Sequence, residues 1–240
     1  MTSKEEIRQK IWEIMERNNI AAFPRPVYGR IPNFKGAKQA ATNLMGQKEL
    51  INASVIKVNP DSPQRPLREM ILRKGKTLVV PTPRLKGEFY LIEPGKINDP
   101  KLGSTISSLE TVGERITLEL LPKIDVIVMG SVAVTTSGDR IGKGEGYSEL
   151  EYAILLETGI IKKDVPIFTT VHEIQIVDYI PVEPFDVTVD GISTPLRTIR
   201  VNGNKARPNG LLLNYLTPEK IERTPFLRDY LEKTRHLSRL

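Results

Sequence analysis

The chain has 240 residues, 39% hydrophobic and 27% charged, which suits one large or two small globular domains and excludes a wholly disordered chain. Its 35 basic and 29 acidic residues leave a formal charge of +6, which fits an anionic ligand, either a phosphorylated small molecule or nucleic acid. With no cysteine and only His172 and His236, the sequence excludes a disulfide framework, a cysteine nucleophile and thiolate-held zinc, and leaves little material for a histidine metal cage.

In chain order, the N-terminal MTSKEEIRQK lacks the apolar core of a signal peptide, and no later run reaches the roughly 20 residues of a membrane span. A reducing, cytoplasmic setting without a membrane partner is the expectation. Ser3 and Glu6 instead form a capping box, and Ile7, Ile11, Ile14 and Met15 recur at helical spacing, so a helix should run to about Asn19, before Pro24 and Pro26 bar its return. A second helix is expected over 34–50, with Ala37, Ala40, Ala41, Leu44 and Met45 inward. Then come a strand at 53–58, a helix over 63–73 capped by Asp61 or Ser62 with proline in its first turn, and strands at 77–80 and 89–92. A helix at 104–112 and a β-branched, buried strand at 124–128 precede a glycine-rich loop. The helix Tyr147–Glu157 follows, closed by Gly159, and strands are expected at 166–172 and 198–201. The last 24 residues carry helical signals, with Thr217 as cap and Pro218 in the first turn. No repeat, low-complexity tract or linker divides the chain. Strands alternating with helices imply an α/β fold with a mainly parallel sheet covered on both faces.

The glycine-rich loop is the most informative segment. Gly138, Gly142, Gly144 and Gly146 fall within nine residues between a strand and a helix, with Arg140 and Lys143 among them. Such a loop lets backbone amides approach an oxyanion, with the helix dipole behind them, or it is only a tight turn. Its spacing matches neither the Walker A loop nor the dinucleotide fingerprint. Lys4 and Arg8, four apart, share one face at the dipole's positive end; they are solvated surface groups, unless an anion lies against them. Seven basic residues against Glu69 in 65–86, and Arg197, Arg200, Lys205 and Arg207 in 194–208, could form a nucleic-acid stripe, but no aromatic residue interleaves with them and a charge run is usually a solvated face. Glu149, Glu151, Asp186 and Asp190 could hold magnesium against phosphates, or serve as turn and cap carboxylates. His172 reads as a hydrogen-bonded core residue and His236 as a solvated one.

Taken together, Lys4-x-x-x-Arg8, the run Arg-Ile-Gly-Lys-Gly-Glu-Gly-Tyr at 140–147, and Ile180-Pro181 followed by Phe185-Asp186 and Val189-Asp190 resemble the methenyltetrahydrofolate synthetase family, the 5-formyltetrahydrofolate cyclo-ligases. The runs 59–64 (Asn-Pro-Asp-Ser-Pro-Gln), 81–85 (Pro-Thr-Pro-Arg-Leu) and 142–147 are similar to the branch called methenyltetrahydrofolate synthase domain-containing proteins. The resemblance implies a three-layer α/β/α domain over residues 1–200, with 201–240 as a C-terminal extension packed on it. It implies ATP and Mg2+ as cofactors and a reduced folate as substrate: ATP phosphorylates the formyl oxygen of 5-formyltetrahydrofolate, N10 attacks the activated carbon, and loss of phosphate gives 5,10-methenyltetrahydrofolate. Positioning and charge stabilisation dominate such phosphoryl transfer.

By position, the resemblance implies that Lys4 and Arg8 clamp the phosphates and that Arg140, Gly142, Lys143, Gly144, Glu145 and Gly146 wrap the nucleotide. Tyr147 would face folate or the reacting centre, Lys143 would share the catalytic role, Glu149 and Asp186 would hold metal, and Asp61 would contact folate. Ser148 stands where the family has a second tyrosine, Glu145 where the enzymes carry glycine or lysine, and Met129-Gly-Ser-Val-Ala-Val134 departs from the family's Pro-Gly-x-Ala-Phe-Asp-like stretch. Glu145 would either turn outward to Arg140 or Lys143, or mark a changed ligand. The alternative to an enzyme is a non-catalytic relative that binds nucleotide, folate or RNA.

Overall fold

A computed structural model describes residues 2–202 and 207–234; Lys205, His236 and parts of the 201–240 extension lie outside these. Helix α1 (Lys4–Arg17) opens with the expected capping box, Ser3 Oγ accepting from the Glu6 amide and the Glu6 carboxylate accepting from the Ser3 amide. Ile7, Ile11, Trp12 and Met15 are buried, and Ile14 sits half-buried at the flank. The helix expected over 34–50 is two: α2 (Ala37–Met45) stops at Gly46 and α3 (Lys48–Asn52) restarts after extended Gln47. Glycine is a weak helix former, and the break lets Leu50 turn back into the core.

Strand β1 (Val55–Val58) leads through a 3-10 turn at Ser62–Gln64 to α4 (Arg65–Arg73). Asp61 precedes that turn but makes no capping bond, which frees its carboxyl for the site. Then follow β2 (Thr77–Pro81), β3 (Glu88–Ile92), α5 (Ile106–Val112), β4 (Glu114–Thr117) and β5 (Val126–Val128). The hairpin β6 (Ala133–Val134) and β7 (Arg140–Ile141) precedes α6 (Tyr147–Glu157), whose bounds match the expectation. Strands β8 (Ile167–Thr170), β9 (Gly191–Ser193) and β10 (Thr198–Arg200) and helices α7 (Pro218–Glu222) and α8 (Pro225–Lys233) complete the described chain, with Thr217 capping α7 as expected. Strands β4, β6, β7 and β9 give no sequence signal because none holds a β-branched apolar run like that of β5; in β4 only Ile116 is buried.

The main sheet runs β10-β9-β8-β5-β1-β2-β3-β4, with β9, β8, β5, β1 and β2 parallel and the outer pairings antiparallel. Residues 82–87 are too few for the crossover that a parallel β2–β3 pair would need. Strand alternation sends Ile56, Val58, Leu78, Val80, Val126 and Val128 to the face covered by α2, α4 and α5. Val79, Ile127, Ile167 and Ile192 pack on the other face with α6 and α8. This is a three-layer α/β/α fold, with α1 laid over the β6–β7 hairpin. No helix among the described residues is long and apolar enough to cross a membrane.

From β1 the sheet grows to β2 on one side and later to β5 on the other, so a crevice opens at the carboxyl ends of β1 and β5, where open α/β sheets bind ligands. The same alternation that buries Ile56 and Val58 aims Lys57 at α6, where its ammonium meets the Glu151 carboxylate with both side chains buried. Removing one member of such a pair strands the other charge in a dry core, at a cost of about 3–5 kcal/mol. Lys57→Met should lose roughly that much stability in denaturant unfolding, and Lys57→Met with Glu151→Leu should recover most of it.

Candidate functional site

The crevice at the strand ends has a volume of about 180 Å³ and is lined by Asn59, Asp61, Gly130 and the loop 142–148. A larger cavity of about 430 Å³ lies on the other side of that loop, between it, α1 and the segment carrying Glu183, Phe185 and Asp186. The glycine loop forms their common wall. Gly144 (φ 108°) and Gly146 (φ 70°) adopt left-handed conformations that other residues rarely hold, and Gly146 caps α6 with backbone alone. From α1, Arg8 Nε donates to the Gly142 carbonyl at 2.8 Å, which ties the first helix to the loop 134 residues later.

The structure brings Lys4, Arg8, Arg140, Gly142, Gly144, Gly146, Glu149 and Asp186 to the 430 Å³ cavity. Its charges are already matched. Lys4 Nζ lies 2.5 Å from Asp186 Oδ2, and Asp186 also accepts from the Glu183 amide. Arg140, almost fully buried, pairs with Glu149 and donates from Nη1 to the Gly130 carbonyl at 2.6 Å. Its Nε has no hydrogen-bond partner among the described residues. Lys4 and Arg140 thus each hold an expected metal carboxylate. The donor set suits magnesium, which takes one or two carboxylates and keeps water and phosphate for the rest. Among the described residues no group of three His, Cys, Asp or Glu side chains could hold a metal without such help.

Glu145 takes the outward placement and pairs with Lys143 at 2.9 Å, both side chains about 40% exposed, while Arg140 turns inward. Lys143 therefore stands at the rim of the small crevice, and Tyr147, half-buried, lines its wall. Asp61, half-buried, brings Oδ2 so close to Gly130 that a Cβ there would lie 2.5 Å away. Burial pushes the Asp61 carboxyl above the usual carboxylate range, against the pull of Lys143, Arg68, Arg140 and Lys57.

Two of the four candidate magnesium acids lie elsewhere. Glu151 belongs to Lys57, and Asp190 binds Arg207 at 2.6 Å and the Ile167 amide at 2.7 Å. His172 is a half-buried cap whose Nδ1 accepts from the Ile174 amide, and burial lowers its pKa; it follows β8 and lies outside the strand. Much of the basic surface is internally engaged: Arg68 is buried against the Asn59, Asp61 and Ser104 carbonyls, and Arg73, Arg197 and Arg200 pair with Glu69, Glu173 and Glu49.

Sequence reasoning gives no role to Lys57, Gly130 or Lys220, and names Asn59 only within the run 59–64. A lysine inside an apolar strand was the available signal for Lys57, and through it for Asn59, whose Oδ1 accepts from Lys57 and whose Nδ2 donates to Ser148 Oγ, both at 3.0 Å. Gly130 lay in a stretch noted only as a departure. Nothing pointed to Lys220, whose ammonium lies 3.8 Å from the Tyr147 ring centroid and donates to the Glu145 carbonyl.

Comparison with known proteins identifies the family and the fold. The sequence profile of the 5-formyltetrahydrofolate cyclo-ligase family matches residues 1–195. The chain is 44% identical over 238 residues to the mouse methenyltetrahydrofolate synthase domain-containing protein, covering 96% of this chain and 64% of that one. It is 42% identical over 233 residues to the human protein of that name, covering 94% and 61%. The chain thus spans a little under two thirds of the length of these relatives. The NMR structure of Aquifex aeolicus 5,10-methenyltetrahydrofolate synthetase shares the fold, with a TM-score of 0.56 at 21% identity over 84% of this chain and 94% of that one. With its profile matched from the first helix through the glycine loop to β9, the chain belongs to the 5-formyltetrahydrofolate cyclo-ligase family.

Proposed function

We propose that the protein binds ATP with magnesium in the glycine-loop cavity and uses it to close 5-formyltetrahydrofolate to 5,10-methenyltetrahydrofolate, releasing ADP and phosphate. The observation that carries this reading is the pair of self-neutralised contacts, Lys4–Asp186 and Arg140–Glu149, on one cavity walled by a glycine loop. Metal-bound triphosphate offers both charges at once, so each pair can exchange its internal partner for a ligand partner without a net charge being buried. Magnesium, when bound, would neutralise phosphate oxygens, with Glu149 and Asp186 as its protein ligands.

The chain's own residues supply position. Lys4 and Arg8 hold phosphate from α1, loop amides face the transferred group, and Tyr147 separates the nucleotide side from the crevice where Asp61 receives the folate. Little acid–base chemistry is needed, because the formyl oxygen is the nucleophile toward phosphorus and phosphate is the later leaving group. A second reading, a binding protein without turnover, is favoured by one contact: Lys143, assigned to the reacting centre, is tied to Glu145 at the rim.

Supplying 5-formyltetrahydrofolate, ATP and magnesium together should produce the methenyl chromophore, with none when any one is omitted; ATP binding without the chromophore would select the second reading. Asp186→Asn frees Lys4 from its carboxylate. Charge-assisted bonds to phosphate are worth about 1.5–3 kcal/mol, so calorimetry should show metal-free ATP binding roughly tenfold tighter and a weaker magnesium requirement. Asp61→Asn tests the folate side. Because burial raises the Asp61 pKa in the folded state, the stability tied to this group is full below its unfolded pKa and is lost as pH rises through the folded value. Asparagine does not titrate, so the variant should melt higher than wild type near neutral pH, the gain vanishing in acid, while binding 5-formyltetrahydrofolate more weakly. Identical melting curves at every pH would remove the buried-carboxyl account.

A further inference from the structure

Residues 207–234 lie beyond the profile-matched region, yet they are bound tightly to the helix that carries the glycine loop. The Leu211 amide and the Tyr230 hydroxyl both donate to the Glu157 carboxylate at 2.8 Å, at the far end of α6. Leu227, Tyr230 and Leu231 share the core cluster with Ile154 and Leu155 of α6. The alignment with the mouse relative covers 96% of this chain, so most of the extension belongs to what the two proteins share.

Between this segment and the glycine loop lies a third cavity of about 570 Å³. It meets the cationic 430 Å³ cavity along Gly144, Gly146, Glu149 and Phe185, which line both. The two differ in character. One holds Lys4, Arg8 and Arg140; the other carries Glu145, Glu149, Glu219, Lys220 and Arg223 as well, but much of its wall is rings and aliphatic side chains, with Phe185 and Tyr215 edge-to-face at 5.4 Å and Leu150, Leu212 and Leu216 around them. Lys4 joins the two, its ammonium 5.4 Å from the Phe185 ring centroid. Where the 570 Å³ cavity meets the 180 Å³ crevice at Tyr147, Lys220 is half-buried over that ring and has no carboxylate in ion-pair range among the described residues, and burial lowers its pKa. A half-buried ammonium held by a carbonyl and a ring face is suited to a ligand's negative charge.

A cationic chamber opening directly into an aromatic-walled one calls for a ligand with an anionic end and a planar apolar end. We propose that the 570 Å³ cavity is the base-and-ribose subsite of the nucleotide, with Leu212, Tyr215 and Leu216 of the C-terminal segment as its outer wall and Lys220 in its wall beside Tyr147. The proposal rests on the ATP reading above and adds that the extension is part of the ligand site. The volume falls within the range of small-molecule pockets, and flat purine faces suit aromatic and aliphatic walls. The Asp61 crevice, on the other side of Tyr147, is left to the folate.

The test compares two probes on the full chain by calorimetry at fixed magnesium: ATP, which needs both chambers, and inorganic tripolyphosphate, which needs only the cationic one. Wild type should bind ATP at least tenfold more tightly than tripolyphosphate. Leu212→Trp, which fills the cavity, should weaken ATP tenfold or more and leave tripolyphosphate within twofold. Tyr215→Ala, at an exposed wall position where folding is spared, should weaken ATP severalfold with the same selectivity. Wild type binding the two probes equally, or folded variants with unchanged ATP affinity, would overturn the subsite while leaving the phosphate chamber intact. Failure to bind either probe would overturn the ATP reading and the subsite with it.

Discussion

The Lys57–Glu151 pair locks the central strand to the helix that starts at the glycine loop, and the site's dimensions depend on that lock. A buried ion pair contributes little net stability against an apolar replacement, but it tolerates only one relative placement of its two backbones. Lys57 lies one residue from the end of β1, and Glu151 lies one turn into α6. Asn59 extends the lock by bonding Lys57 on one side and Ser148 on the other. The strand-end crevice and the N-terminus of α6 are thereby held in register by polar contacts rather than by apolar packing alone. Ser148, a departure from the family's usual tyrosine, is the residue through which Asn59 reaches the loop.

Charge in the ligand cavity follows a second constraint. A pocket with unpaired Lys4, Arg8 and Arg140 would repel itself, and one with unpaired Glu149 and Asp186 would do the same. Interleaving them gives a stable unliganded state that a metal–phosphate complex can enter by exchange of partners. Glu145 fits the same logic from outside: with Lys143 it forms an exposed pair that keeps a carboxylate away from the phosphate side while leaving the loop backbone available.

Local signals were legible and distant pairings were not. The capping box of α1, the bounds of α6 and the Thr217 cap follow from neighbours a few residues apart, and the mainly parallel sheet follows from strands alternating with helices. The break between α2 and α3 was missed because Gly46 is followed by the good helix formers Gln47, Lys48, Glu49 and Leu50, and β4 and β9 because neither holds the β-branched apolar run that marks β5. Lys4 and Asp186 stand 182 positions apart, so their meeting cannot be read from spacing; only likeness to the family placed both at one site. The acids were the hardest to sort. All four carboxylates hold a cation, and what separates Glu149 and Asp186 from Glu151 and Asp190 is that only the first two line the 430 Å³ cavity, a distinction that exists only in three dimensions.

The tie between α1 and the glycine loop bears on synthesis as well as on binding. At 5–20 residues per second, the ribosome needs on the order of 10–40 s to pass from Lys4 to Asp186. During that interval the first helix has emerged with Ile7, Ile11 and Trp12 and without the hairpin that will cover them. Its capping box, built from residues within its own first turn, lets it begin to form before any partner exists. The cleft can close only after Asp186 has been made, and until the hairpin at 133–141 emerges the nascent chain carries an uncovered apolar stripe.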